Sequence, residues 1–143
     1  MAKPIPLGTQ SEAGEVVEFR HTLTAHHASL PPVYSTPDMI RLMERATFAV
    51  LQPFAEGDEI SVGTSINIEH RAASGIGAKI RAEAVLESFD GRFYVMRVTA
   101  FDNTEVIGRG TIGRAIVSVA QFTEKLSKRV RSRKHDERKS PSS

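Results

Sequence analysis

Two side chains in this sequence carry reactive chemistry in unusual company, Glu44 and His70. Glu44 falls at the edge of the apolar face of a helical stretch, with Ile40 and Phe48 four residues away on either side. A carboxylate placed there is partly desolvated and is a candidate base or nucleophile. The plainer reading is a surface glutamate paired with Arg41, three residues back. His70 closes the apolar face of a strand-like segment, as a rim histidine or as a proton donor that works near neutral pH. Gly63 lies on the opposite face of that segment. A glycine there marks a bulge or the close approach of something to the backbone, whose N–H groups are then open to an oxyanion. Thr36, eight residues before Glu44, reads as a helix N-cap whose hydroxyl could also serve a site.

The element that must position Glu44 runs from Thr36 to Gln52. Pro37 fits its first turn, Asp38 suits the positive end of the helix dipole, and Met39, Leu42, Met43, Ala46, Ala49 and Val50 recur at helical spacing. Before it, residues 1–13 read as a loose lead-in, Gly14 to Leu23 as a first strand, and His26 to Tyr34 as a loop or lid stiffened by Pro31 and Pro32. After it, residues 59–70 alternate cleanly, with Ile60, Val62, Ile66, Ile68 and His70 on one face. Further strands follow over 78–87, 92–101 and 106–119, with Phe89-Asp90-Gly91 and Asp102-Asn103-Thr104 as tight turns. Short consecutive turns predict an antiparallel meander. One helix cannot cover five strands, so a homodimer is expected.

The 143 residues suit one domain, set here at 1–125, with a basic and flexible tail over 126–143. With no cysteine there is no disulfide and no thiolate chemistry, and no metal or cofactor site is expected. No apolar run of membrane-spanning length occurs, the N-terminus lacks a signal-peptide core, and a cytoplasmic location without membrane contact is expected. Residues 121–143 hold eight Lys/Arg and three Asp/Glu, hence +5, which leaves −3 on the rest of a chain whose net charge is +2. Such a tail can meet polyanions, but Phe122 is its only aromatic, and a solvated tail is the preferred reading over nucleic-acid binding.

Strand, loop, long helix and four strands make an α+β order that resembles the hotdog fold, an antiparallel five-stranded sheet wrapped around one long central helix. Thr36, Glu44 and His70 are eight and then twenty-six residues apart. Around them stand Leu-Met-Glu at 42–44, Val-Gly-Thr-Ser-Ile at 62–66, Ala72-Ala73-Ser74, and Gly113-Arg114-Ala115-Ile116. Over roughly residues 14–125 the set is similar to the hotdog acyl-CoA thioesterases related to fluoroacetyl-CoA thioesterase. That resemblance implies hydrolysis of an acyl-CoA. It makes Glu44 the attacking carboxylate or the base that activates water, and His70 the group that moves a proton to the leaving thiolate. Thr36 would hydrogen-bond within the site, and Gly63 and Arg114 would contact the substrate. Where the fluoroacetyl enzyme has lid phenylalanines, this chain has His27, Ala28, Leu30, Pro31 and Pro32.

Cationic partners for the CoA phosphates are expected among Arg71, Lys79, Arg81, Arg109, Arg114 and the tail. Eight helical residues rise about 12 Å, so Thr36 and Glu44 of one chain cannot meet, and a site completed between two chains is expected. The competing reading is a non-catalytic acyl-CoA sensor with a basic tail. It has little use for the carboxylate. A hotdog enoyl-CoA hydratase is disfavoured because no separate Asp/His pair stands at that family's spacing.

Overall fold

A computed structural model describes residues 2–139. Strand β1 (Gln10–Val16) leads through a 3-10 turn at Phe19–His21 and a single helical turn, α1 (Leu23–His26), to the long helix α2 (Thr36–Leu51). Strands β2 (Glu59–His70), β3 (Lys79–Phe89), β4 (Phe93–Asp102) and β5 (Glu105–Ser118) follow, and helix α3 (Val119–Lys139) comes last. The sheet is fully antiparallel in the order β1-β3-β4-β5-β2.

Helix α2 buries Met39, Leu42, Met43, Ala46, Val50 and Leu51. They pack on Ile80, Ala82, Ala84 and Leu86 of β3, Met96 and Val98 of β4, and Ile107 and Ile112 of β5. Removing one such side chain, as in Leu42→Ala, costs about 2–5 kcal/mol. This is the α+β architecture expected from the element order.

Four local expectations are corrected. Strand β1 starts four residues before the expected Gly14 and ends at Val16, because the chain turns at Glu18, where side chain and backbone of Glu18 and His21 bond reciprocally. The helix cap is Ser35, whose Oγ accepts the Asp38 N–H at 3.1 Å, and not Thr36. β2 does not pair with β3. The 71–78 connection runs past Val33, Tyr34 and Val17, which accept or donate its backbone bonds, and leaves β2 on the far edge beside β5. Residues 126–139 belong to helix α3, where a flexible tail was expected over 126–143, since 119–139 carry no glycine or proline to stop the helix. The remainder of that expected tail, 140–143, lies outside the described residues.

Candidate active site

The sequence-predicted residues fall into two groups at opposite ends of the outer half of α2. At its N-terminus, the cap at Ser35 leaves the Thr36 hydroxyl free, and Thr36 Oγ1 lies 2.8 Å from His70 Nδ1. The other ring nitrogen, Nε2, is buried and has no hydrogen-bond partner among the described residues. An unpartnered buried polar atom costs about 1–3 kcal/mol, which is tolerated where it meets a ligand. Burial holds the His70 pKa below its ordinary value, and the Ala72 backbone opposes this only in part. Burial thus favours the neutral imidazole. In the tautomer in which Nδ1 accepts from Thr36, Nε2–H is a free donor. A cleft of ≈ 230 Å³ opens beside the pair, walled by Leu23, Val33, Tyr34 and Ala72. Its wall is anchored by Tyr34, whose hydroxyl donates to Glu15 at 2.6 Å.

The second group gathers around Glu44, two turns down the same helix. Arg41 does not pair with it. Arg41 donates to Glu15 at 2.7 Å and 2.9 Å and faces Asp38 at 3.6 Å. The cation beside Glu44 is Arg114, whose Nη1 stands 3.6 Å from Glu44 Oε2. Arg114 is 6% exposed. It donates from Nε to Ser61 Oγ at 3.0 Å, from Nη2 to the Ser61 carbonyl at 2.9 Å, and from Nη1 to Thr47 Oγ1 at 3.4 Å. Burial pulls its pKa down and the Glu44 carboxylate pulls it back up. Its guanidinium also sits 5.8 Å from the Phe48 ring centre. So enclosed, Arg114 stands behind Glu44 and away from the open surface.

Gly63 belongs to this second group. A β-carbon built on it would lie 3.5 Å from Glu44 Oε2 and 3.9 Å from Arg114 Nη1. It therefore faces α2, as His70 does from the other end of the strand, which corrects the expectation of opposite faces. The physical reason is the register shift between Gly63 and Ser65, where one extra residue reverses the alternation of every side chain beyond it. Ser61, two residues before Gly63 on the same strand, is buried on the same side by ordinary alternation. Sequence reading missed Ser61 and Thr47 as partners of Arg114. The one available signal was an arginine inside an otherwise apolar strand.

Within one chain the groups stay apart, since Thr36 and Glu44 are separated by about 12 Å of helix rise. Strand β2 pairs only with β5 among the described residues, so its outer edge is free, and residues 63–67 along it are exposed, with Ile66 at 48%. Among the described residues no group of three or more His, Asp or Glu is placed to hold a metal ion, and no helix is long and apolar enough to cross a membrane.

A five-stranded antiparallel sheet curled around one long helix is the hotdog fold. More narrowly, residues 17–120 match the family model described as FlK, fluoroacetyl-CoA-specific thioesterase, and the chain belongs to that family of acyl-CoA thioesterases. It is 37% identical over 99 residues to the fluoroacetyl-CoA thioesterase of Streptantibioticus cattleyicolor, covering 69% of this chain and 71% of that one. A mutant of the fluoroacetyl-CoA-specific thioesterase FlK, in complex with fluoroacetate and CoA, superposes with a TM-score of 0.75 at 31% identity, over 82% of this chain and 99% of that one. A Thermus thermophilus hypothetical protein of the thioesterase superfamily superposes with a TM-score of 0.84 at 29% identity, over 94% and 98%.

Proposed function

We propose that this enzyme hydrolyses an acyl-CoA to the free acid and CoA in a site built from two copies of the chain. The observation that carries the reading is the distribution of reactive groups: Glu44 with Gly63 at one end, Thr36 with His70 at the other. The free edge of β2 supports their reunion. An unpaired strand edge invites a second strand, and two-fold symmetric pairing of identical strands is antiparallel. Centred on Asn67, such pairing sets the bulge at Gly63 and Thr64 of one copy opposite His70 of the other. Glu44 and the free Nε2 then face one substrate from two sides.

In that site the Glu44 carboxylate attacks the thioester carbonyl carbon, or takes a proton from the water that does. The carbonyl π electrons move to oxygen, where the Gly63 backbone, open for want of a side chain, favours the charge, while the Arg114 guanidinium holds Glu44 from behind. Collapse of the adduct breaks the C–S bond; His70 Nε2–H protonates the departing thiolate as Nδ1 takes the Thr36 hydroxyl proton, and solvent water returns a proton to Thr36. Where Glu44 is the nucleophile, water then cleaves the resulting anhydride. Turnover in H₂¹⁸O that leaves ¹⁸O in Glu44 identifies the nucleophilic route, with water opening the anhydride at the Glu44 carbonyl.

Mixing an E44A chain with an H70A chain tests the shared site. In a heterodimer one of the two sites keeps both groups, and half of randomly mixed dimers are heterodimers, so recovery of about a quarter of wild-type activity is expected. No recovery, with exchange of chains verified, would sink the shared site. A panel of short, branched, aromatic and long acyl-CoAs, scored by thiol release beside E44A, identifies the acyl group. The lid residues His27, Ala28 and Leu30 are exposed and none is aromatic in the phenylalanine sense, so selectivity for a fluorinated acyl group is the point on which the panel decides. Acyl-CoA binding without any turnover would favour the sensor reading.

A further inference from the structure

Helix α3 is the part of the chain that thioester hydrolysis leaves unused. The family match ends at residue 120, one residue past the start of the helix. Its root is well made: the Asp58 carboxylate accepts from the Ala120 N–H at 2.9 Å and from the Ser118 hydroxyl at 3.0 Å, and these bonds hold the Asp58 pKa below its ordinary value. Beyond that root every described side chain from Val119 to Asp136 is exposed. A helix so fastened and then left without packing presents its faces to something else.

One face is apolar. Val119, Phe122, Leu126 and Val130 follow at spacings of three, four and four, and are 40%, 49%, 53% and 43% exposed. Basic groups border them, with Lys125 and Arg129 lining the same surface groove as Phe122 and Leu126. The one ion pair along the helix among the described residues, Lys128 to Glu124 at 3.3 Å, is intrahelical. Lys125, Arg129, Arg131, Arg133 and Lys134 thus have no acidic partner among the described residues.

We infer that α3 docks the enzyme peripherally on an anionic phospholipid surface, with Phe122, Leu126 and Val130 at the acyl boundary and the flanking cations among the headgroups. A basic helix of low mean hydropathy with one apolar stripe lies in the plane of such an interface, and anionic headgroups attract each nearby Lys or Arg. Two other occupants fit less well. A second copy would bring +5 against +5, over a stripe of four half-exposed side chains that falls far below the roughly 800 Å² per partner of a stable dimer. A nucleic acid would satisfy the cations but leave Leu126 and Val130 in water, with one aromatic to stack on a base. The expectation of no membrane contact is thereby narrowed to no membrane-spanning helix.

The test is co-sedimentation of the full chain with vesicles of phosphatidylcholine alone and of phosphatidylcholine with 30% phosphatidylglycerol. Expected are binding at least about tenfold stronger to the anionic vesicles, its loss in 0.5 M salt, and a tenfold or greater drop in F122E/L126E. Unchanged circular dichroism shows that the variant folds. K125E/R129E should weaken binding by a similar factor while leaving the apolar stripe intact. Equal binding to both vesicle types, or none, would overturn the inference. So would a change of oligomeric state in F122E/L126E by light scattering, which reassigns the stripe to a contact between copies. Binding of a labelled duplex that F122E/L126E leaves untouched, with no vesicle binding, would reassign the cations to nucleic acid.

Discussion

Gly63→Ala separates the fold from the chemistry. Gly63 is not among the glycines with positive φ, so alanine adopts its backbone without strain. The added methyl would meet Glu44 Oε2 at 3.5 Å and Arg114 Nη1 at 3.9 Å, both ordinary contact distances. Replacing glycine at a compatible position stabilises a chain by about 0.4–1 kcal/mol through the unfolded state. The melting temperature should therefore hold or rise by a few degrees, measured at fixed protein concentration because a dimer's stability depends on it. Activity should not hold. A reacting carbonyl carbon must come within about 3–3.5 Å of the carboxylate oxygen, which is the space the methyl would fill, and a displacement of about 1 Å costs on the order of 100-fold. That loss corresponds to roughly 2.7 kcal/mol of transition-state stabilisation. The assay is kcat/KM by thiol release on the best acyl-CoA of the panel, with G63A and E44A side by side. If G63A stays within threefold of wild type while E44A is dead, the thioester does not sit between Gly63 and Glu44. If activity and melting temperature collapse together, the position matters for folding and the reasoning fails.

Arg114→Met should lower kcat more than tenfold, with Arg114→Lys recovering little, because one ammonium cannot bond Ser61 twice and still face Glu44; a change confined to KM would point instead to a CoA contact. Gly110→Ala should cost about 3 kcal/mol or more in urea unfolding, since its methyl would run into the Asn67 carbonyl oxygen, a backbone atom of the paired strand that cannot swing away. His70 sets a pH dependence of stability. Its folded pKa lies below the ordinary 6.5, so the unfolded chain takes up the proton first as pH falls. Its contribution is complete above pH 6.5, declines as pH falls from there to the folded pKa, and then levels. The melting temperature of wild type relative to H70Q should fall between pH 7.5 and 5.5, and parallel curves would show that His70 is not held neutral by burial.

Much of the site was legible before the fold. A helix declares itself by period and by its start signals, so the stretch carrying Thr36 and Glu44 was placed to within a residue at its C-terminal end, Gln52 against Leu51. The strands carrying Gly63, His70 and Arg114 were legible as alternating runs between turns, because alternation records which side chains leave water. Neighbours are a different matter. Alternation does not say which strand lies beside which, and the 71–78 connection, by bonding to the lid and to Val17, moves β2 to the free edge on which the proposed shared site depends.

The remaining surprises share that cause. Ser35 and Thr36 are both capping residues by type, and the path of the entering chain makes Ser35 the cap and turns the Thr36 hydroxyl toward His70. Arg41 and Arg114 are equally good cations for Glu44 by type. The first is drawn to Glu15 on β1, while the second reaches Glu44 from β5, 70 positions away in the chain. One extra residue between Gly63 and Ser65 puts Gly63 and His70 on the same side. By itself the sequence determined the elements, their order and the set of reactive groups, because these depend on local propensity and on burial pattern. Which groups meet was decided by the tertiary structure alone, because contacts between strands and helix depend on strand order, register and the bulge, none of which leaves a periodic trace in the chain.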